Sequence, residues 1–207
     1  PDLQPKIYKF INFELTPKQR EVYDELQREF SYMLEYKEEK ENVQFEMIAS
    51  RTKMKQVTSG YIKVYDELVL LPPEDNPRLA AFKDYISGVL EEEPERKFIV
   101  WCMFKEEMNQ VKDFLDKEGV NVAMYNGDTS QAQREFIIDD FQKNTVESGG
   151  TQCIIGHAAA MGIGITLTAA DLSVYYSCSY DNELRKQSED RNHRIGTKSS
   201  CLLYTSD

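Results

Sequence analysis

The sequence is poor in the materials of a metal or redox centre. Its 207 residues hold two histidines and four cysteines. Cys102, Cys153, Cys178 and Cys201 lie singly in or beside predicted strands and never as Cys-x-x-Cys, so they are expected to be buried thiols. With only His157 and His193 to help them, no metal site is predicted. Long apolar runs are missing as well. The run Phe98-Ile-Val-Trp-Cys-Met-Phe104 falls far short of the roughly 20 residues that cross a bilayer, and no membrane partner is expected. The opening Pro1-Asp-Leu-Gln-Pro-Lys6 has neither the basic start nor the apolar core of a signal peptide, which makes the cytoplasm the expected location. An opening on Pro1 rather than Met also fits an excised piece. Nowhere does Gly-x-x-x-x-Gly-Lys-Ser/Thr occur, nor an Asp-Glu-x-His-like strand end to hold magnesium. A self-contained nucleotide-hydrolysing site of that kind is excluded.

Positive charge is scarce too. A net charge of −11 and a pI near 4.8 argue against a surface that coats nucleic acid in general. Much of the acidic excess is local, in Glu35 to Glu41 and in Glu91-Glu-Glu-Pro-Glu95, where charge runs usually form solvated faces or loops. A nucleic-acid contact would have to be a confined patch. Arg185 to Lys198 offers one, with five basic side chains plus His193 set against Glu189 and Asp190. At 41% hydrophobic residues, one substantial core with an appendage is the expectation.

What is present reads in two styles. Residues 1–14 show no helical period and predict an extended lead-in. Thr16 as cap, Pro17 at the first helical position and Gln19 closing a capping box then open a helix to about Tyr36. Its apolar stripe is Val22, Tyr23, Leu26, Phe30 and Met33. A second helix, about Phe45 to Thr58, carries Ile48, Met54 and Val57, and short strands follow at Tyr61 to Tyr65 and Leu68 to Leu71. From Asn76 the pattern turns to regular alternation. A helix started by Asn76-Pro77, a second from about Lys105 to Lys117 and a third opened by Asp128-Thr-Ser130 alternate with strands at Lys97 to Cys102, Val120 to Tyr125 and Gln152 to Gly156, with further strands at Leu172 to Ser177 and Ser200 to Tyr204. Leu79, Phe82, Ile86 and Val89 are expected inside, as are Met108, Val111, Leu115, Phe136, Ile137 and Phe141. Strands separated by helices of this length predict an α/β fold: a parallel sheet flanked by helices from about residue 75 to the end, with an N-terminal helical protrusion over residues 1–74. Trp101, on a central strand, belongs to the core rather than to a base-stacking platform.

Ligands of an open parallel sheet gather where the strands end. Lys105, the turn Asn126-Gly-Asp-Thr-Ser130 and Gly156-His-Ala158 all fall there. Further on, Gln187-Ser-Glu-Asp-Arg-Asn-His-Arg-Ile-Gly196 predicts a polar helix end stopped by Gly196. Arg191 and Arg194, three apart, would share a face and aim two permanently charged forks at one point, a natural seat for an oxyanion, with Gln187 one turn earlier. The plainer alternative is that the arginines answer the helix dipole and the neighbouring Glu189 and Asp190. Upstream lies Met161-Gly-Ile-Gly-Ile-Thr-Leu-Thr-Ala-Ala-Asp171, a glycine loop between two predicted strands.

The order of that glycine loop, a strand and Gln-x-x-Asp-Arg-x-His-Arg-Ile-Gly resembles motifs V and VI of superfamily-two helicases. The His193-Arg194-Ile195-Gly196 ending looks most like their Swi/Snf-like DNA translocase branch. Trp101 to Lys105 resembles motif IV; Gly127, Arg134 and Phe141 resemble the glycine, arginine and phenylalanine that follow it. More loosely, Leu15-Thr-Pro-Lys-Gln-Arg-Glu-Val-Tyr23 and Lys53-Met-Lys-Gln-Val-Thr-Ser-Gly60 are similar to the helices preceding the second motor lobe. Thr166 and Thr197 depart from the family, which often has asparagine and glutamine there. The resemblance implies the C-terminal RecA-like lobe of a DNA-dependent ATPase, inactive by itself, that binds ATP with magnesium against a first lobe supplying the lysine loop and most of the magnesium contacts. It implies arginine fingers at Arg191 and Arg194 and a closure sensor at Gln187. Gly162, Gly164 and Asp190 would lie on the cofactor side, and Lys105, Gly127, Thr129, His157 and Thr166 would contact duplex DNA phosphates. Two other classes stand against it. One is a non-catalytic protein- or nucleic-acid-binding module derived from such a lobe. The other is a Rossmann-type enzyme, which would want a glycine fingerprint after the first strand where Cys102-Met-Phe-Lys105 has none.

Overall fold

The computed structural model describes residues 5–36, 41–64, 67–161, 165–194 and 202–205. Compactness divides the chain differently from periodicity: Pro1–Asn12 and Phe82–Asp207 form one unit, Phe13–Ala81 the other.

In the smaller unit the expected capping box closes helix α1 (Pro17–Tyr36), with Gln19 N donating to Thr16 Oγ1 at 3.2 Å and Thr16 N to Gln19 Oε1 at 3.0 Å. Gln19 does a second job, its Nε2 donating to Val57 O at the end of helix α2 (Glu41–Thr58). Leu26, Met54 and Val57 form the small core between these helices, with Val22, Tyr23 and Phe30 packed on it. Ile48, expected in that stripe, is 62% exposed. After α2 the chain turns through Gly60 at φ +86, where an added Cβ would lie 2.5 Å from the Asn76 amide, and enters the antiparallel hairpin of strands β2 (Tyr61–Val64) and β3 (Glu67–Leu70).

The larger unit is built on six parallel strands: β1 (Ile7–Phe10), β4 (Phe98–Trp101), β5 (Val122–Tyr125), β6 (Cys153–Gly156), β7 (Leu172–Tyr175) and β8 (Leu202–Thr205), in the order β1-β8-β7-β4-β6-β5. The expected parallel sheet with flanking helices is therefore present, with one strand more than periodicity revealed. That strand is β1, inside the predicted lead-in; it takes an edge against β8, with all four residues exposed. Helix α3 (Pro77–Glu92) buries the predicted Leu79, Phe82, Ile86 and Val89. Helix α4 (Lys105–Lys117) has the bounds read from the sequence and ends before Gly119 at φ +77. Helix α5 (Gln131–Lys143) starts at a real Ser130–Gln133 capping box and buries Phe141 fully. Phe136, predicted inside, is 70% exposed, because a helix lying on a sheet covers only one stripe and Ile137 and Phe141 already occupy it. Helix α6 (Asn182–Glu189) completes the set.

Every residue of β4, β6 and β7 is buried, as expected of strands covered on both faces. On one face Ile99, Trp101, Tyr125, Phe141, Ile154 and Leu167 share a core. Trp101 stacks on Tyr175 with centroids 5.9 Å apart and gives its indole N–H to Ser173, confirming its packing role. Elsewhere in the unit Phe82 meets Phe114 and Tyr176 edge-on. Cys102, Cys153 and Cys178 are buried free thiols, while Cys201 lies outside the described residues. No helix among the described residues is long and apolar enough to cross a membrane.

Candidate functional site

Three loops leave neighbouring strand ends and are tied together. After β4, the buried Glu107 carboxylate accepts from Met103 N (3.0 Å), Phe104 N (3.1 Å) and Ser177 Oγ (2.5 Å), pinning the start of α4 to the loop after β7. After β5, Asn126 and Thr129 close a turn on themselves: Asp128 N donates to Asn126 Oδ1 and Asn126 N to Thr129 Oγ1. Arg134 braces this turn, donating to the carbonyls of Thr129 (2.9 Å) and Asn126 (3.2 Å) over the Tyr125 ring. Lys105 Nζ pairs with Asp128 at 2.5 Å, linking the first loop to the second, and His157 N donates to Tyr125 O, linking the third. Lys105, Gly127, Thr129 and His157 thus occupy one corner. Gly127 is exposed with open space where a Cβ would be, so no steric demand for glycine exists there. His157 is half-buried; burial pulls its pKa below the ordinary value, against the pull of Glu107, and its Nδ1 accepts from Ala159 N. Burial thus favours the neutral imidazole.

The second cluster joins residues distant in the chain. Helix α6 stops at Glu189, so Arg191 and Arg194 lie in the turns beyond it rather than on a helix. The sequence reading is corrected there, and the reason is local. Leu167 N captures Arg191 O at 2.8 Å, and Arg194 Nε caps Asp190 O at 2.9 Å, so the last carbonyls find partners without another helical turn. The guanidinium pair survives the change. Arg194 Nη1 donates to Thr166 Oγ1 at 3.0 Å, bringing the segment after β6 against the segment after α6. Burial lowers the pKa of Arg191, and the charge of Arg194 lowers it further, with Asp190 and Tyr125 opposing.

Gln187 stands apart from them and donates to Glu183 on its own helix. Asp190 faces the other way, its carboxylate 2.8 Å from Lys6 Nζ. Gly162 and Gly164 lie outside the described residues, as do Ile195, Gly196 and Thr197. Periodicity and motif missed a buried group beside the arginines. Glu189 accepts from Arg185 Nε (2.9 Å), Lys6 Nζ (3.2 Å) and Tyr8 OH (2.9 Å), while Arg185 lies 3.4 Å over the Tyr175 ring. The Arg185–Glu189 pair has a readable i,i+4 signal; nothing local marks Lys6 or Tyr8. Where the loops after β4 and β7 part, Arg185 and Tyr175 line, with Trp101, His157 and Ser177, a cavity of only about 20 Å³, room for a single water.

The model of the helicase conserved C-terminal domain matches residues 78–196, more than half of the chain. The chain belongs to that family. A Mycoplasma pneumoniae protein described as an uncharacterized ATP-dependent helicase is 25% identical over 204 residues, covering 98% of this chain and 18% of that protein. A SWI/SNF-related regulator of chromatin, subfamily A-like protein 1, from Xenopus tropicalis is 31% identical over 127 residues, 61% of this chain and 13% of the regulator. The chain therefore spans less than a fifth of either relative. Among solved structures, the C-terminal part of the Fun30 ATPase domain superposes with a TM-score of 0.74 at 16% identity, covering 99% of this chain and 86% of that one. The Sulfolobus solfataricus SWI2/SNF2 ATPase core in complex with dsDNA gives 0.75 at 20% identity, over 98% and 41%. The fold of this helicase C-terminal domain is thus that of the RecA-like C-terminal lobes of Swi/Snf-like ATPases.

Proposed function

We propose that this helicase C-terminal domain is the second motor lobe of a DNA-dependent ATPase of the Swi/Snf-like kind, acting with a first RecA-like lobe and with duplex DNA in the cytoplasm. One juxtaposition supports the reading above the rest: Arg194 bonds Thr166 across 28 residues, Leu167 N beside it donates to the Arg191 carbonyl, and the charge of Arg194 bears on Arg191. Paired, planar, permanently charged forks fit a multiply charged oxyanion better than they fit one another.

ATP supplies the phosphoryl group. Arg191 and Arg194 take up charge that develops on the terminal phosphate as it departs, and Gln187, on the preceding helix, senses closure of the cleft against the first lobe. Lys105, Gly127, Thr129 and His157 lie along phosphates of the duplex, with Lys105 exchanging Asp128 for a phosphate oxygen. The Gly162–Gly164 stretch couples the nucleotide to the DNA phosphates, and Asp190 lies on the cofactor side. Magnesium belongs in this reading mainly to the first lobe. Repeated closure of the two lobes moves the protein along DNA.

The test is ATP turnover by the intact polypeptide carrying Arg191→Lys or Arg194→Lys. Each keeps the charge and loses the fork, and each is expected to cut turnover roughly a thousandfold with little change in nucleotide affinity. Near-normal turnover in both would reduce the arginines to caps of a helix end. The 207-residue chain alone should not hydrolyse ATP, and should bind duplex DNA weakly, without sequence preference and with steep salt dependence.

A further inference from the structure

The family match begins at residue 78, yet the groups that hold the arginine segment in place come partly from the first ten residues. Lys6, just ahead of β1, donates to Glu189 at 3.2 Å and to Asp190 at 2.8 Å, and Tyr8, on β1, gives its hydroxyl to Glu189 at 2.9 Å. Glu189 itself is 6% exposed. An ionised carboxylate that deep needs several donors, and two of its three come from this N-terminal segment, the third being Arg185. Strand β1 cannot drift from the site, because its four residues register along β8, and β8 along β7. The pKa values of Lys6 and Tyr8 are both raised; for Lys6 burial opposes the shift and the Asp190 and Glu189 contacts overcome it, and for Tyr8 burial and the Glu189 bond act together.

We infer that Lys6 and Tyr8 are positioning residues for the Arg191–Arg194 pair. They act in two ways. By completing the bonds of Glu189 they fix the end of α6, from which the arginine turns depart. By holding the Asp190 carboxylate, Lys6 keeps it from collapsing onto the neighbouring guanidinium groups, where it would compete with phosphate. Asp190 already acts on Arg191 electrostatically, so its release would neutralise one of the two forks. An anion site in a region matched to one family is thus completed by a strand outside that region. The inference rests on the arginine pair acting on the terminal phosphate, as proposed above.

The experiment compares Lys6→Met, Lys6→Arg, Tyr8→Phe and Arg194→Lys in the intact polypeptide, with kcat, nucleotide KM and melting temperature measured for each. Lys6→Met is expected to lower kcat roughly ten- to hundredfold, as small misplacements of catalytic groups do, with KM nearly unchanged. Lys6→Arg should restore most of the loss, and Tyr8→Phe, which keeps the ring, should lower kcat several-fold. Normal kcat in Lys6→Met and Tyr8→Phe beside a collapsed Arg194→Lys would overturn the positioning role and leave the arginine reading standing. Normal kcat in Arg194→Lys would remove the arginine reading itself. A fall in Lys6→Met that tracks a lowered melting temperature and is not restored by Lys6→Arg, with Tyr8→Phe normal, would make the contact structural only and overturn the inference.

Discussion

Just ahead of strands β4, β6 and β7, charges are settled by opposite charges or by hydrogen bonds. Arg96 bonds Asp171 at 2.9 Å and Glu93 at 3.1 Å, and Lys97 donates to the carbonyls of Phe141 and Asn144. Asp140 accepts from both the amide and the hydroxyl of Thr151. Around Thr166 and Arg191 to Arg194 the arrangement is reversed, with like charges brought together and one of them depressed by burial and by the other. The first region lines an open groove of about 570 Å³, far roomier than anything a pair of arginines requires. Volume points to the first region and charge to the second. A groove whose charges already satisfy one another offers a ligand little, whereas two like charges that bear on each other favour an anion beside them.

If that contrast is sound, substitutions among settled charges should cost stability, and substitutions in the arginine pair should cost turnover. The largest loss of stability is expected at Glu107, a fully buried carboxylate with three donors. Glu107→Ala strands two backbone N–H groups and the Ser177 hydroxyl, and should destabilise the chain by about 3 kcal/mol in urea unfolding. Arg96→Met should cost about 1–2 kcal/mol, since it leaves the half-buried Asp171 without that donor; an unchanged midpoint would erase the contrast. A smaller effect is expected from pH. Burial alone would raise the pKa of Asp140, but bonds from Thr151 and Asn144 and the charge of Lys97 hold it below the ordinary carboxylate value. Because the folded pKa is depressed, its stabilisation is complete above the unfolded value of about 3.9 and is lost as pH falls through the folded one. Asp140→Asn should therefore flatten the acid limb of stability below about pH 4 in melts from pH 2 to 6. Least of all, Phe136→Ser should shift stability by no more than about 0.5 kcal/mol, although periodicity places that residue in the core.

Local signals carried the fold well. The Thr16–Gln19 box, the bounds of α4 and the opening of α5 at Asp128-Thr-Ser130 depend on residues within a turn of one another, and the structure has all three. Signals that depend on distant partners were invisible. Strand β1 has four exposed residues and hence no alternation to read, and its pairing partner β8 lies at the far end of the chain. Phe136 fits a helical period as well as Ile137 does, and only the placing of α5 on the sheet decides between them. At the candidate site the two arginines were legible as a pair, but their helix was not, because Leu167 intercepts the backbone at Arg191. Glu189 is legible in the sequence only as a charge beside the arginines, because its partners Lys6 and Tyr8 lie at the other end of the chain.

The claim that Arg191 and Arg194 are held together for an anion can be tested on this chain directly, by thermal unfolding of the wild type and of Arg194→Met with and without pyrophosphate. The account predicts that without pyrophosphate Arg194→Met melts no lower than the wild type, since relief of repulsion on Arg191 offsets the lost bonds to Thr166 and Asp190. It predicts too that pyrophosphate raises the melting temperature of the wild type and that the rise is lost in the variant. A variant that melts several degrees lower yet keeps the full pyrophosphate shift would contradict it, placing Arg194 among the settled charges.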